Sequence, residues 1–335
     1  MVDCLHAEIR AFCPLEEQIR LKNALTQKAI DSALTKIDAN LNMFIDRFPG
    51  TATTGGVYRL RTSAGENPTP TVLEEGANFD WTTGFWTGIL WLTYEITGSD
   101  KYRNAAETQV ESFRQRLDNR IDVDTHDLGF LYTLSCVAAY KLTKSKSAGK
   151  TALQAADLLM NRYIDKAGII QAHGDLNDPM LRGRIIIDCL MNLPLLYWAS
   201  EMTGKARYRD AARNHAYRSL SCQIRADAST HHTYYFDTES GAALYGETLQ
   251  GASDQSCWAR GQAWGIYGSM LSYTYLKEEY FIDKALELAD YFLLHCPADH
   301  VAYWDLIYTD GSGEPRDSSA SAIAVCGIME LVKWL

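Results

Sequence analysis

The chain has 335 residues, of which 47% are hydrophobic and 22% are charged, and this composition is typical of a globular protein. Its formal net charge is -10 and no cluster of Lys and Arg stands out, so we predict no nucleic-acid partner. No apolar run of about 18 residues is free of Asp, Asn, Gly, Thr or Pro, so we predict no contact with a membrane.

The N-terminal stretch, MVDCLHAEIRAF, lacks the basic and then apolar pattern of a secretory signal peptide. Eight cysteines are scattered along the chain without a Cys-x-x-Cys pair, whereas a secreted disulfide scaffold would be shorter and richer in cysteine. We therefore predict a cytoplasmic protein with reduced thiols.

The first clearly predicted helix has the sequence AIDSALTKIDANLNMF, residues 29–44, in which apolar residues recur at three-to-four spacing. A repeated pattern follows further along the chain. Glu-x-Thr-Gly and then Tyr-Arg-x-Ala-Ala occur at 94–107 and at 200–213, with looser copies at 139–157 and 274–290. Such self-similarity marks a repeated supersecondary unit, which we predict to be a helix, a short turn and a second helix.

The first helix of each predicted hairpin is apolar on nearly all sides, which indicates a helix that is buried all round. The four sequences are GFWTGILWLTYEI, GFLYTLSCVAAYKL, IDCLMNLPLLYWASEM and GQAWGIYGSMLSYTYL, and we expect Pro194 to kink the third. The second helices are amphipathic. We therefore predict an all-α fold, an α/α toroid with an inner ring of buried helices, and a single domain over residues 1–335. About ten helices are expected, namely a leader, four hairpins and a final helix at SSASAIAVCGIMELVKWL.

Long inserts between the predicted helices are rich in Gly, Pro, Asp, Thr and Tyr. They lie at 50–80, 165–184, 223–257 and 297–317. Inserts of this length in a compact domain are usually functional. Within one of them, HHTYYFDTESGAALYGE is predicted to form a short β-hairpin.

Four chemically unlike residues begin the four inner helices. Each lies fifteen or sixteen residues before the turn of its hairpin, and they are Trp81, Asp127, Asp188 and Arg260. We expect them at one end of the ring, around a shared cavity, where two acids suggest acid/base chemistry on a glycoside or a related ether. A helix cap is the alternative for Asp188, since acids are favoured at helix N-termini. Three isoleucines precede it, however, and an unpaired carboxylate is costly to bury in such surroundings.

Trp258, Arg260, Gln262 and Trp264 occur in one short run, where Arg can grip a carboxylate and stack on Trp. An ordinary pair between Arg260 and an acid is the alternative. The adjacent His231 and His232 lack the partners of a metal site, so we predict no metal and no cofactor. The sequence also lacks the motifs of P-loop, Rossmann and Gly-x-Ser-x-Gly proteins, which leaves nucleotide binding and serine-hydrolase chemistry without support.

The motifs NFDWTTGFWTG, DTHDLGFLY, IIIDCLMNLPLLYWA and CWARGQAWGIYG resemble those of the unsaturated glucuronyl hydrolases, glycoside hydrolase family 88. The resemblance runs from about residue 20 to the end of the chain. It implies an (α/α)6 barrel that acts on oligosaccharides which polysaccharide lyases leave with a 4,5-unsaturated uronic acid at the non-reducing end. Twelve helices make such a barrel, so we expect this chain to be short by its last helix pair.

The resemblance also implies roles for individual residues. Asp188 matches the general acid/base of the family, and Asp127 matches its second essential aspartate. The matched sugar-binding positions are Trp81, Phe85, His126, His232, Gln250, Trp258, Arg260 and Trp264. The implied chemistry is hydration of the C4=C5 enol ether, for which Asp188 must start protonated, and both an apolar setting and a nearby acid raise the pKa of a carboxyl group.

Three alternatives to this function remain open. An unsaturated rhamnogalacturonyl hydrolase would have the same toroid and chemistry but a pectin substrate. A non-catalytic sugar-binding toroid would need the aromatic residues but not two acids, and an inverting hydrolase would act on saturated glycans. We expect unsaturated uronic-acid disaccharides as substrates, without a prediction of which glycosaminoglycan they come from.

Overall fold

The structure, a computed structural model, describes residues 15–62 and 73–335. The predicted absence of a signal peptide concerns residues outside this range, as does the part of the first insert at 63–72. The α-helices are α1 Leu15–Leu41, α2 Thr83–Thr97, α3 Asp100–Asp118, α4 Leu128–Tyr132, α5 Ala138–Thr143, α6 Lys146–Met160, α7 Pro194–Thr203, α8 Ala206–Gln223, α9 Ala259–Leu276, α10 Tyr280–His295 and α11 Ser318–Leu331.

Two of the inner helices are irregular. A π-helical segment, Thr133–Val137, joins α4 to α5, and a 3₁₀ helix, Ile187–Asn192, leads into α7. With these segments counted as parts of their helices, the described residues form the predicted leader, four hairpins and final helix. They are arranged as an α/α toroid, as expected.

The turn of each hairpin explains the repeated sequence pattern. Gly98 and Gly204 adopt left-handed backbone conformations, with φ of 66° and 70°, just after α2 and α7. Glycine is favoured at this position because it has no Cβ to clash there, and its N–H satisfies a free carbonyl of the helix. Lys144 and Lys277 take the same conformation in the looser copies, with φ of 60° and 57°.

Pro194 lies at the junction of the 3₁₀ helix and α7, not inside a regular α-helix. It is the first residue of α7. A proline at this position loses no hydrogen bond, because the first N–H groups of a helix have no intrahelical acceptor.

Five short strands lie in the inserts. β1 Tyr163–Ile164 pairs with β2 Ile169–Ile170, and β3 Arg184–Ile186, β4 Thr233–Phe236 and β5 Ala243–Glu247 form an antiparallel sheet in that order. The β4–β5 pair confirms the predicted hairpin. Ile186 of β3 lies opposite Thr233 of β4, so this sheet brings the start of the 3₁₀ helix beside the hairpin insert.

The core lies between the inner helices and the outer helices that pack on them. α2 packs on α3, α7 packs on α8, and α9 packs on α10, α11 and the 3₁₀ helix. The largest fully buried side chains include Trp91, Tyr132, Tyr197 and Phe281. Within the described ranges, no helix is both long enough and apolar enough to span a membrane.

Candidate active site

The loop before α4 holds Asp127 in place. Thr125 forms a β-bridge with His173. Its hydroxyl donates to Asp127 Oδ2 at 2.9 Å and accepts from the Asp127 N–H at 3.1 Å. Asp127 makes no capping hydrogen bond to α4, although it occupies the N-cap position. The Asp127 side chain is therefore held by the loop and not by the helix that it precedes.

Asp188 lies where β3 passes into the 3₁₀ helix. The N–H of Ile187 donates to the carbonyl of His232 at 3.0 Å, which anchors this junction to the hairpin insert. No side chain caps the 3₁₀ helix, and Asp188 Oδ1 is buried without a hydrogen-bonding partner among the described residues. The alternative that Asp188 is a helix cap therefore has no support in the geometry.

His126 lies between the two acids. Its Nε2 is 3.4 Å from Asp127 Oδ1 and 3.8 Å from Asp188 Oδ2. Asn192 links the same two residues, since its Nδ2 is 3.5 Å from Asp127 Oδ1 and 3.5 Å from the Asp188 carbonyl oxygen. The two inner helices thus bring both carboxyl groups to one place, as the spacing in the sequence predicts.

The environment raises the pKa of both acids. Burial raises the pKa of Asp188 well above its usual value, and the charge of Asp127 raises it further. Burial also raises the pKa of Asp127, while the hydrogen bonds from Thr125 and Asn192 act in the opposite direction. Asp188 is therefore the member of the pair that keeps its proton more readily.

The histidines beside the acids are uncharged at neutral pH. Burial, together with the charges of Arg162 and Arg184, lowers the pKa of His126 to about 3. Burial and neighbouring His126 lower the pKa of His173 to about 4. The contacts of His126 with Asp127 and Asp188 are thus contacts of a neutral ring and not ion pairs.

Aromatic rings form one wall beside Asp127. Phe130 is central, with ring centroids 5.5 Å from Trp81, 5.5 Å from Phe85 and 5.4 Å from Trp264. Trp81 and Phe85 are half-buried. Aromatic faces of this kind are suited to the apolar face of a sugar ring, and three of these four residues are among those predicted to bind sugar.

A second group of predicted residues gathers at the start of α9. The His232 ring lies 4.5 Å from that of Trp258, and the Arg260 guanidinium lies over the same Trp at 4.6 Å. Arg260 Nη2 donates to Gln250 Oε1 at 3.2 Å. His232 Nδ1 accepts from the backbone N–H of Gln250 at 3.1 Å. This group adjoins Asp188, because the His232 carbonyl accepts from the N–H of Ile187, the residue before Asp188.

Arg260 pairs with an acidic side chain, which was the alternative to substrate binding in the sequence analysis. It pairs with Asp317, which also caps α11 by accepting from the N–H groups of Ser319 and Ala320 at 3.0 and 3.1 Å. Arg260 remains 26% exposed, so part of its guanidinium faces solvent. The pair with Asp317 therefore orients Arg260 without enclosing it.

Sequence reasoning missed five residues of the site. They are Thr125, Phe130, His173, Asn192 and Asp317. Phe130 could have been found, because it follows Asp127 by one helical turn. His173 and Asp317 come from inserts and carry no local signal.

His126, Asp127 and His173 form a group whose potential ligand atoms all lie within 4.8 Å of one another.

The sequence matches a known family over most of its length. The profile of Glycosyl Hydrolase Family 88 matches residues 59–334. The chain is 47% identical to the unsaturated chondroitin disaccharide hydrolase of Streptococcus pneumoniae over 321 residues, which are 96% of this chain and 77% of that protein. It is 48% identical to the unsaturated glucuronyl hydrolase of Bacillus sp. strain GL1 over 309 residues, 92% of this chain and 78% of that protein.

The fold agrees with that of a solved relative. The crystal structure of unsaturated glucuronyl hydrolase from Streptococcus agalactiae matches with a TM-score of 0.85 and 47% identity, covering 92% of this chain and 74% of that one. The match confirms the predicted helical toroid and the resemblance noted in the sequence. The chain therefore belongs to Glycosyl Hydrolase Family 88 and is a glycoside hydrolase.

Proposed function

We propose that this chain releases 4,5-unsaturated uronic acid from the non-reducing end of glycosaminoglycan disaccharides made by polysaccharide lyases, by hydration of the C4=C5 enol ether. The observation that carries this proposal is the pairing of Asp188 with Asp127. Burial and the charge of Asp127 raise the pKa of Asp188, and a hydrogen bond from Thr125 holds Asp127 in place. Hydration of an enol ether needs one group that first gives a proton and then accepts one.

In the first step, Asp188 gives its proton to C4, and the ring oxygen stabilises the positive charge that develops at C5. In the second step, water adds at C5 and the Asp188 carboxylate accepts its proton, which regenerates the acid. The product is a hemiketal that opens and releases the leaving sugar. Asp127 stays ionised and orients the ring, since Thr125 and Asn192 hydrogen-bond to it.

The remaining residues of the site would bind the sugar. Trp81 and Phe85, which are half-buried, offer aromatic surface to the uronate ring, and the buried Trp264 supports them through Phe130. The exposed part of Arg260 would hold the uronate carboxylate, which suits a planar guanidinium that Asp317 already orients. His126, His232, Gln250 and Trp258 complete the predicted set.

The test is a panel of matched disaccharides from chondroitin, hyaluronan and heparin, each in its 4,5-unsaturated and its saturated form. We expect loss of the ultraviolet absorbance of the conjugated acid with at least one unsaturated member and no turnover of any saturated one. The names of the relatives at 47% and 48% identity favour chondroitin disaccharides and other glucuronyl substrates over pectin fragments. Turnover of saturated disaccharides would instead indicate an ordinary glycosidase, and binding without turnover would indicate a sugar-binding toroid.

We also propose that the protein works in a reducing compartment, the cytoplasm. Six cysteines in the described part of the chain are free thiols, and Cys136, Cys189 and Cys257 among them are buried. Buried thiols of this kind are inert core residues. Fractionation of cells that express the native gene tests this proposal.

A further inference from the structure

Two imidazoles and one carboxylate converge beside the reacting acids. They belong to His126, Asp127 and His173, called here the His–Asp–His cluster, and their nearest donor atoms all lie within 4.8 Å of one another. The rings of His126 and His173 meet edge to face, with centroids 5.9 Å apart. The proposed function gives His173 no role and gives His126 only a contact with the sugar, so the convergence of the two imidazoles on Asp127 calls for a further explanation.

His126 is unusual for a buried polar side chain. It is 1% exposed, yet neither ring nitrogen has a hydrogen-bonding partner among the described residues. Buried polar groups in proteins nearly always have a partner, and a bound ion or water is one of the explanations for a group that lacks one.

We propose that the His–Asp–His cluster binds one divalent transition-metal ion, with Zn²⁺ as the ion and Co²⁺ as its spectroscopic substitute, and that the bound ion inhibits the enzyme. Two imidazoles and a carboxylate with an open fourth position form the donor set that zinc accepts in proteins. This inference goes beyond the proposed function, and only its inhibitory part rests on it.

One ligand pair already has the separation that such an ion needs, and the three donor atoms, which lie within 4.8 Å of one another, need only a short approach by His173. Ligand atoms of a tetrahedral zinc ion lie about 3.3 Å apart, given bonds of about 2.0 Å. His126 Nε2 and Asp127 Oδ1 are 3.4 Å apart, so these two need no movement. The bond from Thr125 to the other oxygen, Asp127 Oδ2, leaves Oδ1 turned toward the histidines. Outer partners of this kind orient the ligands of a metal site.

Inhibition follows from the position of the cluster. A metal ion bound to Asp127 uses the carboxylate lone pair that would otherwise accept a hydrogen bond from the sugar. It also occupies space beside Asp188, since His126 Nε2 lies 3.8 Å from Asp188 Oδ2. Metal and substrate therefore compete for one place, and the metal-free enzyme is the active form.

The binding experiment uses the whole chain after chelation and dialysis. Calorimetric titration with Zn²⁺ should find one site per chain, and Co²⁺ should give the visible absorption of a tetrahedral ion. His173→Phe should weaken Zn²⁺ binding at least about tenfold, since loss of even an outer partner costs a metal site that much. The matched control is His231→Phe, which changes a histidine outside the cluster and should bind Zn²⁺ as the parent chain does.

A second variant, His173→Gln, keeps a polar side chain of similar size and replaces His173→Phe if that protein does not fold. Competition is measured in the Asp188→Asn variant, which is expected to bind an unsaturated disaccharide without turnover. Saturating Zn²⁺ should abolish that binding.

Equal Zn²⁺ affinity of the parent chain and a folded His173 variant would overturn the assignment of the site. Undiminished disaccharide binding, or activity that chelation removes and Zn²⁺ restores, would overturn the inhibitory role. A chain that turns over no disaccharide refutes the proposed function but leaves the calorimetric result decisive for the site.

Discussion

Asp188 follows Ile185, Ile186 and Ile187, and its side chain is only 17% exposed. Water is the solvent that stabilises a carboxylate, and it is largely excluded here, so the neutral acid is favoured. Asp127 adds a second and independent reason, because a negative charge nearby opposes ionisation of Asp188. The apolar residues around Asp188 thus favour the protonated carboxyl group that the proposed hydration requires.

At the residue scale, we expect Asp188→Asn to abolish hydration and leave disaccharide binding largely intact. The amide is nearly isosteric with the acid, but it can neither give a proton to C4 nor accept one from water. A general acid/base contributes about 10²–10⁴-fold, and here one residue performs both steps, so kcat should fall by at least about 10³-fold. The measurement is the loss of ultraviolet absorbance, with binding followed by calorimetry. Retention of more than about a tenth of kcat, against the expected loss, would assign Asp188 a merely structural role.

Asp127→Asn should change the pH dependence of kcat as well as lower it. In the proposed mechanism protonated Asp188 is the active form, so kcat should fall as the pH rises through the pKa of Asp188. The charge of Asp127 raises that pKa, so its removal should move the descending limb to lower pH. Profiles at saturating substrate measure the shift. A limb that stays in place would mean that the pair does not titrate as a coupled unit.

At the scale of elements, the site depends on the close approach of α4 to the 3₁₀ helix. The N–H of Phe130 donates to Asn192 Oδ1 at 2.7 Å, across 62 residues of sequence. Gly129 makes this approach possible, because a Cβ on it would lie 2.2 Å from the Asn192 Cα. One helix carries Asp127 at its start and the other carries Asp188, so this contact fixes how the two acids face each other.

We therefore expect Gly129→Ala to lower both stability and activity. The added methyl meets backbone atoms that cannot turn aside, so the cost should be about 3 kcal/mol or more in the free energy of unfolding. Gly88→Ala in α2 is the matched control, since its Cβ would lie 3.3 Å from Leu134 Cβ, where a small adjustment suffices. The steric cost of Gly88→Ala should be offset by a gain of about 0.5–1 kcal/mol from the higher helix propensity of alanine. Denaturant unfolding and kcat are measured for both variants. A Gly129→Ala protein as stable as the Gly88→Ala control would show that the close approach at Gly129 is not required.

At the scale of the whole molecule, two helix faces are left open to solvent. Ile89, Leu92 and Ile96 lie along one face of α2 and are 39%, 58% and 61% exposed. Val325 and Met329 lie along one face of α11 and are 52% and 65% exposed. The described residues supply ten helices, whereas a complete (α/α)6 ring has twelve. Both helices therefore present apolar side chains to solvent.

An apolar face of this kind should bind hydrophobic dyes and promote self-association. We expect the double variant Leu92→Lys with Ile96→Lys to reduce both effects while changing the free energy of unfolding by less than about 0.5 kcal/mol per site, because both side chains are already exposed. Leu294→Lys is the control, since Leu294 is 82% exposed on the outer helix α10. Fluorescent dye binding and sedimentation velocity measure the outcome. An equal effect of the control would show that general surface charge, and not the open face, is responsible.

That residues 1–335 form one domain stays a prediction, and limited proteolysis tests it. The residue assignments of the site also stay predictions until the variants above are measured. The contacts of the described residues form two groups. One lies around Asp127 and includes Trp81, Phe85, His126 and Trp264, and the other lies at the start of α9 and includes His232, Gln250, Trp258 and Arg260.

The amino-acid sequence by itself determined the helix pairs and which residues begin the inner helices. Both depend on local chemistry, namely the spacing of apolar residues and a turn residue with a left-handed conformation. Equal distances from equivalent turns then placed Trp81, Asp127, Asp188 and Arg260 at the same end of the ring. The role of glycine at 98 and 204 could likewise be read from the repeat.

Only the tertiary structure decided how these residues face one another. The 3₁₀ helix before Pro194, the bridge from Thr125 to His173 and the bond from Phe130 to Asn192 all join residues that local patterns do not connect. The raised pKa of Asp188 has the same origin, since the sheet and the inner helices that bury it meet only after folding. Contacts between distant segments depend on the packing of the whole chain, and local sequence periodicity carries no information about them.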